Sequence, residues 1–414
     1  MIESRASRQR TWTLRAIFAA LLIGGIAMAA FIIAGTGPAR HLSPSSTESP
    51  LFGSAGSSGS SDDAEGSLRE VTGTDEFTVT VNGDMLWHEP TWTTARQADG
   101  SYDFTPIFEH MKPIIEGSDL AICHNEVPLA PPEGPFMGYP QFQAPPQTAT
   151  AIKKTGWDAC TTASNHSVDQ GFEGLKRTLD TLDAAGLKHS GMSRTPEERD
   201  EPDILTTPSG VKIGLVSGTY GTNGLPVPEP WMVDMLDTDR MIADARKAKE
   251  AGADIVMAVV HAGDEYQQQP NAQQIQAAEA LTASPDIDVV YGHHVHVVQP
   301  IEKVNGKWVV YGLGNFVAQQ MADQYLTYEG LTVQFTFGRD GGDWKVNQVK
   351  YIPTMISPSG HQPVQVAPTN WLKDHPEAFG ADTPDAATIE ASLERTREIV
   401  KSRGAGDDPE LVEG

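Results

Sequence analysis

The sequence predicts an α/β domain with an antiparallel edge, set behind one transmembrane helix and a flexible tether. Three observations carry this expectation. Apolar runs of strand length alternate with helical periodicity from about residue 75 onward. A twenty-residue run without charge, residues 16–35, lies near the N-terminus. A stretch rich in Ser, Gly and Pro joins the two.

Residues 1–15 hold Arg5, Arg8, Arg10 and Arg15 and read as a cytoplasmic basic segment. Twenty helical residues span roughly 30 Å, about one bilayer hydrocarbon core. Residues 16–35 are therefore read as an uncleaved signal anchor, with the main domain outside the cell. A cleaved signal peptide is the rival reading, since small residues between Ala29 and Ala39 could serve a peptidase. The apolar run exceeds the roughly 7–15 residues of such a peptide. A buried core helix fits the basic flank least. Residues 36–74 contain the Gly53–Asp62 stretch, which has almost nothing to bury and reads as a flexible linker.

The folded domain is expected over residues 75–367. Phe77, Val79 and Val81 alternate with polar residues in a first strand, and Leu120–Cys123 forms a second. Phe172, Leu175, Leu179 and Leu182 fall at helical spacing, with Gly186 as the stop. Val211–Val216, Ile255–Val260 and Ile287–Tyr291 are further strands, separated by helices near Asp239–Gly252 and Ala272–Leu281. Trp308–Tyr311, Leu331–Phe337 and Trp344–Ile352 are expected to close the domain as antiparallel strands. Residues 368–414 read as an acidic tail with one helix, Pro384–Ser402, and a loose end.

Composition removes several function classes. Two cysteines in 414 residues exclude a disulfide scaffold and a cysteine-based zinc protein. Cys123 and Cys160 are compatible with a disulfide or with two buried thiols. Fifty-five acidic against 30 basic residues give a net charge of −25, which argues against nucleic acid as a partner. It also disfavours polyanions, except where bound metal ions reverse the local field.

Five predicted strands end in polar clusters: Asn82-Gly83-Asp84, Cys123-His124-Asn125-Glu126, Ala163-Ser164-Asn165-His166, His261-Ala262-Gly263-Asp264-Glu265 and Gly292-His293-His294-Val295-His296. Functional groups of open α/β sheets gather outside the carboxyl ends of strands. Imidazole and carboxylate ligands suit Zn, Mn, Fe or Co. Two adjacent divalent ions need a bridging carboxylate, and a neighbouring histidine can act as an acid or stabilise charge. Each element alone is weak: a lone Gly-Asp is more often a turn, and a loop Asn often only caps one. Coincidence is the bland alternative. Of 12 histidines, however, His88, His124, His166, His261, His293, His294 and His296 all fall in or beside these motifs.

The order Gly-Asp, Glu, Asn-His, His, His-x-His resembles the calcineurin-like metallophosphatases, and in particular the CapA family of poly-γ-glutamate capsule biosynthesis proteins. The resemblance runs from about Phe77 to Ile352 and is strongest in Thr162–Gly171, Tyr291–Glu302 and Tyr311–Phe316. It implies a four-layer α/β/β/α metallophosphatase-like sandwich. It places Asp84, Glu126, Asn165, His261, His294 and His296 at metal-ligand positions and His166 at that of the catalytic histidine. His88, His124, Glu265, His293 and Asn315 are further candidates. The chain departs from the pattern at Met85-Leu86, where Asp-x-His is usual, at His124-Asn125-Glu126 in place of Asn-Leu-Glu, and at Ala262 in place of an aromatic residue. The implied cofactor is a divalent transition metal, two ions. The implied function is a metal-dependent hydrolase or transferase in envelope-polymer biosynthesis, acting on an anionic polymer or a phosphoester beside synthesis and export proteins. A non-catalytic accessory factor with a structural or polymer-binding metal site is the alternative.

Overall fold

The computed structural model describes residues 76–321, 324–358 and 360–414. The expected basic segment, anchor and linker lie outside these residues. No helix among the described residues is long and apolar enough to cross a membrane.

The strands, in chain order, are β1 (Glu76–Met85), β2 (Leu120–Asn125), β3 (Ala159–Thr161), β4 (Lys188–Ser190), β5 (Asp203–Thr206), β6 (Lys212–Thr219), β7 (Ile255–His261), β8 (Val289–His293), β9 (Ile301–Val304), β10 (Lys307–Val310), β11 (Asn315–Val317), β12 (Glu329–Asp340), β13 (Asp343–Ile356), β14 (Val366–Pro368) and β15 (Leu411–Glu413). One sheet has the order β14-β13-β12-β1-β2-β3-β4, with β11 beside β1 and β15 beside β13. The other has the order β5-β6-β7-β8-β10-β9.

Side-chain alternation explains how the sheets stack. Leu120 and Ile122 of β2 share one apolar cluster with Ile255, Met257 and Val259 of β7, so the two sheets face each other. The intervening residues point the other way. Ala121 and Cys123 meet Ile152 and Leu175, Leu179 and Leu182 of the helices Gln147–Thr155 and Gly171–Ala185. Val256, Ala258 and Val260 meet Met241, Ala245 and Leu281 of the helices Thr238–Glu250 and Ala272–Ala283. The layers therefore run helix, sheet, sheet, helix. Gly186 ends its helix in the left-handed conformation, at φ 78°.

Four aspartates clamp the amino ends of the parallel strands. Asp119, just before β2, accepts from the backbone N–H of Thr78 in β1 at 2.9 Å. Asp158 does the same for Ala121 at 3.0 Å, Asp254 for Lys212 at 2.8 Å and Asp288 for Val256 at 2.8 Å. Each carboxylate satisfies a donor at the frayed start of the neighbouring strand, and so helps to fix the register of the pair.

Two expectations need correction. Trp308–Tyr311 does not join the closing antiparallel strands. Its strand, β10, lies in the second sheet, parallel to β8 and antiparallel to β9. The C-terminal end is not loose. β15 pairs in parallel with β13, and Val400, Ala405 and Leu411 are buried between the sheets. Helix Ala386–Val400 packs Ile389 and Leu393 against Met355, Leu372 and Phe379. Its apolar residues at helical spacing, not the segment's net charge, decide where it goes. Cys123 and Cys160 stand opposite each other on β2 and β3 and are disulfide-bonded.

Candidate metal centre

All five strand-end clusters converge at the carboxyl ends of β1, β2, β3, β7 and β8. The convergence depends on close backbone approach. A Cβ on Gly83 would lie 2.2 Å from the carbonyl oxygen of Gly314, so only glycine lets β11 come alongside β1 and set Asn315 opposite Asp84. The loop after β8 is strained: His294 and His296 have φ of 93° and 60°. Non-glycine residues in this region cost on the order of 1–3 kcal/mol each, and such strain is concentrated at functional sites.

The centre is a buried mesh of carboxylates and imidazoles. Asp84 accepts from His293 Nδ1 at 2.7 Å, from the His294 backbone N–H at 3.2 Å and from His296 Nδ1 at 3.1 Å. His124 Nε2 lies 3.0 Å from His261 Nδ1, and His261 Nε2 lies 2.8 Å from Asn165 Oδ1. Donor atoms of Asp84, Glu126 and His296 lie within 4.8 Å of one another, as do those of Glu126, His261 and His294. Glu126 belongs to both groups, the position a carboxylate needs to bridge two ions. Asp84, His124 and His293 form a third group, and Glu265, His294 and His296 a fourth.

The donor set fits a divalent cation on a direct test. Both carboxylate oxygens of Glu126, Nε2 of His293 and Nδ1 of His294 are buried without a hydrogen-bond partner. Leaving a buried polar group unsatisfied costs about 1–3 kcal/mol, more for a charged one. A cation coordinated by these atoms removes that cost.

Proton affinities follow from the same crowding. Burial opposes ionisation of Asp84, but hydrogen bonds from His293 and His296 outweigh it and hold its carboxyl well below the usual range. Glu126 is pushed well above its usual range, chiefly by burial, with Asp84 and Glu265 adding repulsion. Burial and neighbouring imidazoles hold His124 and His261 well below the ordinary value and bring His294 down to about 3. Neutral imidazoles are the form that binds metal. His296 is the exception: burial works against its charge, yet Glu126 and Asp84 raise it to about 9.

His166 stands beside this mesh. Its Nδ1 lies 2.7 Å from Asp169 Oδ2, which also accepts the Phe142 backbone N–H at 2.8 Å, and the Phe142 ring packs edge-on to the imidazole. A carboxylate on Nδ1 fixes the tautomer and leaves Nε2 for chemistry. The sequence reading did not single out Asp169. The signal was an acidic residue three positions after the histidine in a short loop, and only the loop's turn makes the pair.

The further candidates divide. His124 and His293 lie inside the mesh. Asn315 Oδ1 meets His296 Nδ1 at 3.0 Å, while its amide donates to Gln320 and to the Thr327 carbonyl, so it orients the ring. Glu265 is exposed at the rim. His88 joins none of the four groups. Its Nδ1 receives the Gln319 backbone N–H, and burial brings it down to about 4.

The family of bacterial capsule synthesis proteins (PGA_cap) matches residues 78–320. The PGA biosynthesis protein CapA of Bacillus subtilis is 28% identical over 242 residues, covering 57% of this chain and 62% of that protein. A Mycobacterium tuberculosis protein named "Probable polyglutamine synthesis accessory protein" is 23% identical over 258 residues, covering 56% and 64%. The chain thus spans under two thirds of the length of these relatives. Among solved structures, the calcineurin-like phosphoesterase YfkN from Bacillus subtilis aligns with a TM-score of 0.44 at 15% identity, over 78% of this chain and 97% of that one.

Proposed function

This chain belongs to the bacterial capsule synthesis protein family, and from that premise we propose that it is a metal-dependent hydrolase or transferase working on an envelope polymer. In this reading residues 16–35 anchor it in the cell membrane, and the domain from residue 76 onward acts outside. The polymer is poly-γ-glutamate or a related one, and the partners are the proteins that make and export it.

One observation carries the enzyme reading: a buried carboxylate, Glu126, with neither oxygen hydrogen-bonded and shared by two ligand groups, beside a His166–Asp169 pair. Asp84, Glu126 and His296 would hold one divalent ion. Glu126, His261 and His294, with the Asn165 carbonyl, would hold a second. Bound there, the metal would supply Lewis acidity and a water of lowered pKa. The chain's own residues do the rest. Asp84 and Asn315 orient His296. The strained loop after β8 presents His294 and His296 together. Asp169 holds His166 so that Nε2 can deliver a proton to a leaving group or stabilise its charge.

The name of the mycobacterial relative favours a second reading, an accessory factor in which the same residues bind polymer or stabilise the fold. One pair of measurements separates the two. Metal content and polymer yield are determined in cells carrying His166→Asn. The enzyme reading expects unchanged metal and lost polymer. Normal polymer, with no turnover of phosphoester or polyglutamate by the metal-loaded chain, would leave only the accessory role.

A further inference from the structure

His88 belongs to none of the ligand groups, yet its ring is held as firmly as theirs. It follows β1, on the same segment as Asp84. The pairing of β1 with β11 sets Asn315 opposite Asp84 and Val317 opposite Met85, and it continues past both strands. There Leu86 donates its backbone N–H to the Val317 carbonyl at 2.7 Å, and Gln319 donates its own to Nδ1 of His88 at 3.2 Å. The His88 carbonyl accepts the backbone N–H of Thr91 at 2.9 Å and its hydroxyl at 2.7 Å.

These contacts fix the tautomer. The Leu86 carbonyl lies 3.1 Å from Nδ1 and would need a proton there, whereas the Gln319 N–H needs a lone pair. The Leu86 carbonyl already accepts the backbone N–H of His88 at 2.8 Å. Gln319 is buried, and Nδ1 is the acceptor for its N–H among the described residues. A proton on Nδ1 would set two N–H groups against each other and leave a buried donor unsatisfied. The proton therefore sits on Nε2. That atom makes no hydrogen bond among the described residues and is not one of the buried unpartnered atoms, so it opens to solvent. The His88 ring packs edge-on to Phe142, with centroids 5.4 Å apart, and Phe142 packs edge-on to His166 at 4.8 Å. Burial, with repulsion from the His296 and His166 rings, brings His88 down to about 4 and keeps it neutral at pH 7.

We propose that His88 is a substrate-binding residue, which donates its Nε2–H to an sp² oxygen of the acidic, amide-linked polymer while His166 serves the reacting bond. The inference rests on the reading that this polymer enters the cleft at the metal centre. Two imidazoles then flank Phe142 with opposite wiring. His166 has its Nδ1 on the Asp169 carboxylate, which leaves Nε2 to exchange a proton. His88 has its Nδ1 on a backbone N–H, which makes Nε2 a permanent donor. Each repeat of a γ-linked glutamate chain offers such a donor a main-chain carbonyl and a carboxylate. A neutral donor holds one repeat in place without moving a proton, and placement of this kind is what brings a bond to the reacting groups.

The test uses the purified full-length chain in detergent, loaded with Zn²⁺, and γ-linked oligoglutamate as the probe. Nitrogen NMR of the histidine-labelled chain should show His88 as the neutral Nε2–H form at pH 7, its signals identified by their loss in His88→Gln. His88→Phe keeps a ring and removes the donor. It should weaken oligomer binding about tenfold, the effect of one hydrogen bond, with metal content and melting temperature unchanged. His88→Gln, whose amide offers a neutral donor, should bind within about threefold of the unaltered chain. The same loss by His88→Phe with a methyl-esterified oligomer assigns the bond to the amide carbonyl, and loss confined to the free acid assigns it to the carboxylate. A proton on Nδ1, undiminished binding by His88→Phe, loss of metal in that variant, or His88→Gln as weak as His88→Phe would each overturn the proposal and leave the polymer reading intact. Binding without turnover would count against the enzyme reading and leave the role of His88 standing. An unaltered chain that binds no oligomer would remove the polymer reading and this proposal together.

Discussion

At the amino ends of the parallel strands, Asp119, Asp158, Asp254 and Asp288 each accept a backbone N–H of the adjacent strand. At the carboxyl ends of the same strands, Glu126 accepts nothing through either oxygen, and imidazole nitrogens of His293 and His294 are equally unpartnered. One sheet system thus treats similar side chains in opposite ways. Where the fold satisfies a carboxylate internally, the group holds register. Where it buries one and leaves it unsatisfied, folding stability is lost locally and a cation is needed to restore it. The accompanying φ values at His294 and His296 place backbone strain at the same end.

The sharpest way to break this comparison is Glu126→Gln. It should remove most bound metal, read by elemental analysis of the purified chain, yet leave the metal-free protein as stable or more stable at about pH 10, where His296 is neutral, because a buried acid without a hydrogen-bond partner is gone. A metal-free melting temperature that falls by several degrees would make Glu126 a structural residue like the aspartates. The next largest effect is on rate. His166→Asn should cut turnover about 10²–10⁴-fold with metal content unchanged, the usual range for a general acid or base. A loss of metal in that variant would place His166 among the ligands instead.

Three smaller effects concern stability. Reducing the Cys123–Cys160 bond should cost about 2–4 kcal/mol in denaturant unfolding, as for other native disulfides. Asp288→Ala should cost about 1.5–3 kcal/mol, the range for a hydrogen bond to a charged group, without changing metal content. His296 provides a pH test of the other end. Its imidazole is raised from the ordinary 6.5 to about 9 in the metal-free protein. The charged ring therefore contributes stability that is fully present below about pH 6.5 and is lost as pH rises through 9. Thermal midpoints of the metal-free chain should fall between pH 7 and 10, and His296→Gln should flatten that slope.

Much of the architecture was legible because burial imposes a period. The alternation at Phe77, Val79 and Val81 marks β1, and the spacing of Leu175, Leu179 and Leu182 marks the helix that Gly186 ends. The clamping aspartates were not singled out, although Gly117-Ser118-Asp119, Gly156-Trp157-Asp158 and Gly252-Ala253-Asp254 share a Gly-x-Asp form before a strand. Three residues that look like a turn do not reveal that the carboxylate serves a different strand.

The sequence by itself determined which residues could take part in chemistry, because His, Asp, Glu and Asn at strand ends are a local pattern, and strand ends follow from local periodicity. Only the tertiary structure decided which of those residues meet. Asp169 meets His166 through a loop turn, Asn315 reaches His296 because Gly83 admits β11, and His88 is turned aside by the backbone of Gln319. It also decided that β10 joins the second sheet and that the acidic C-terminal segment docks, with Leu411 buried between the sheets. The physical reason is common to all of these. Pairing between distant segments is set by the shape and unsatisfied groups of the partner surface, and a single stretch of chain carries no record of its partner.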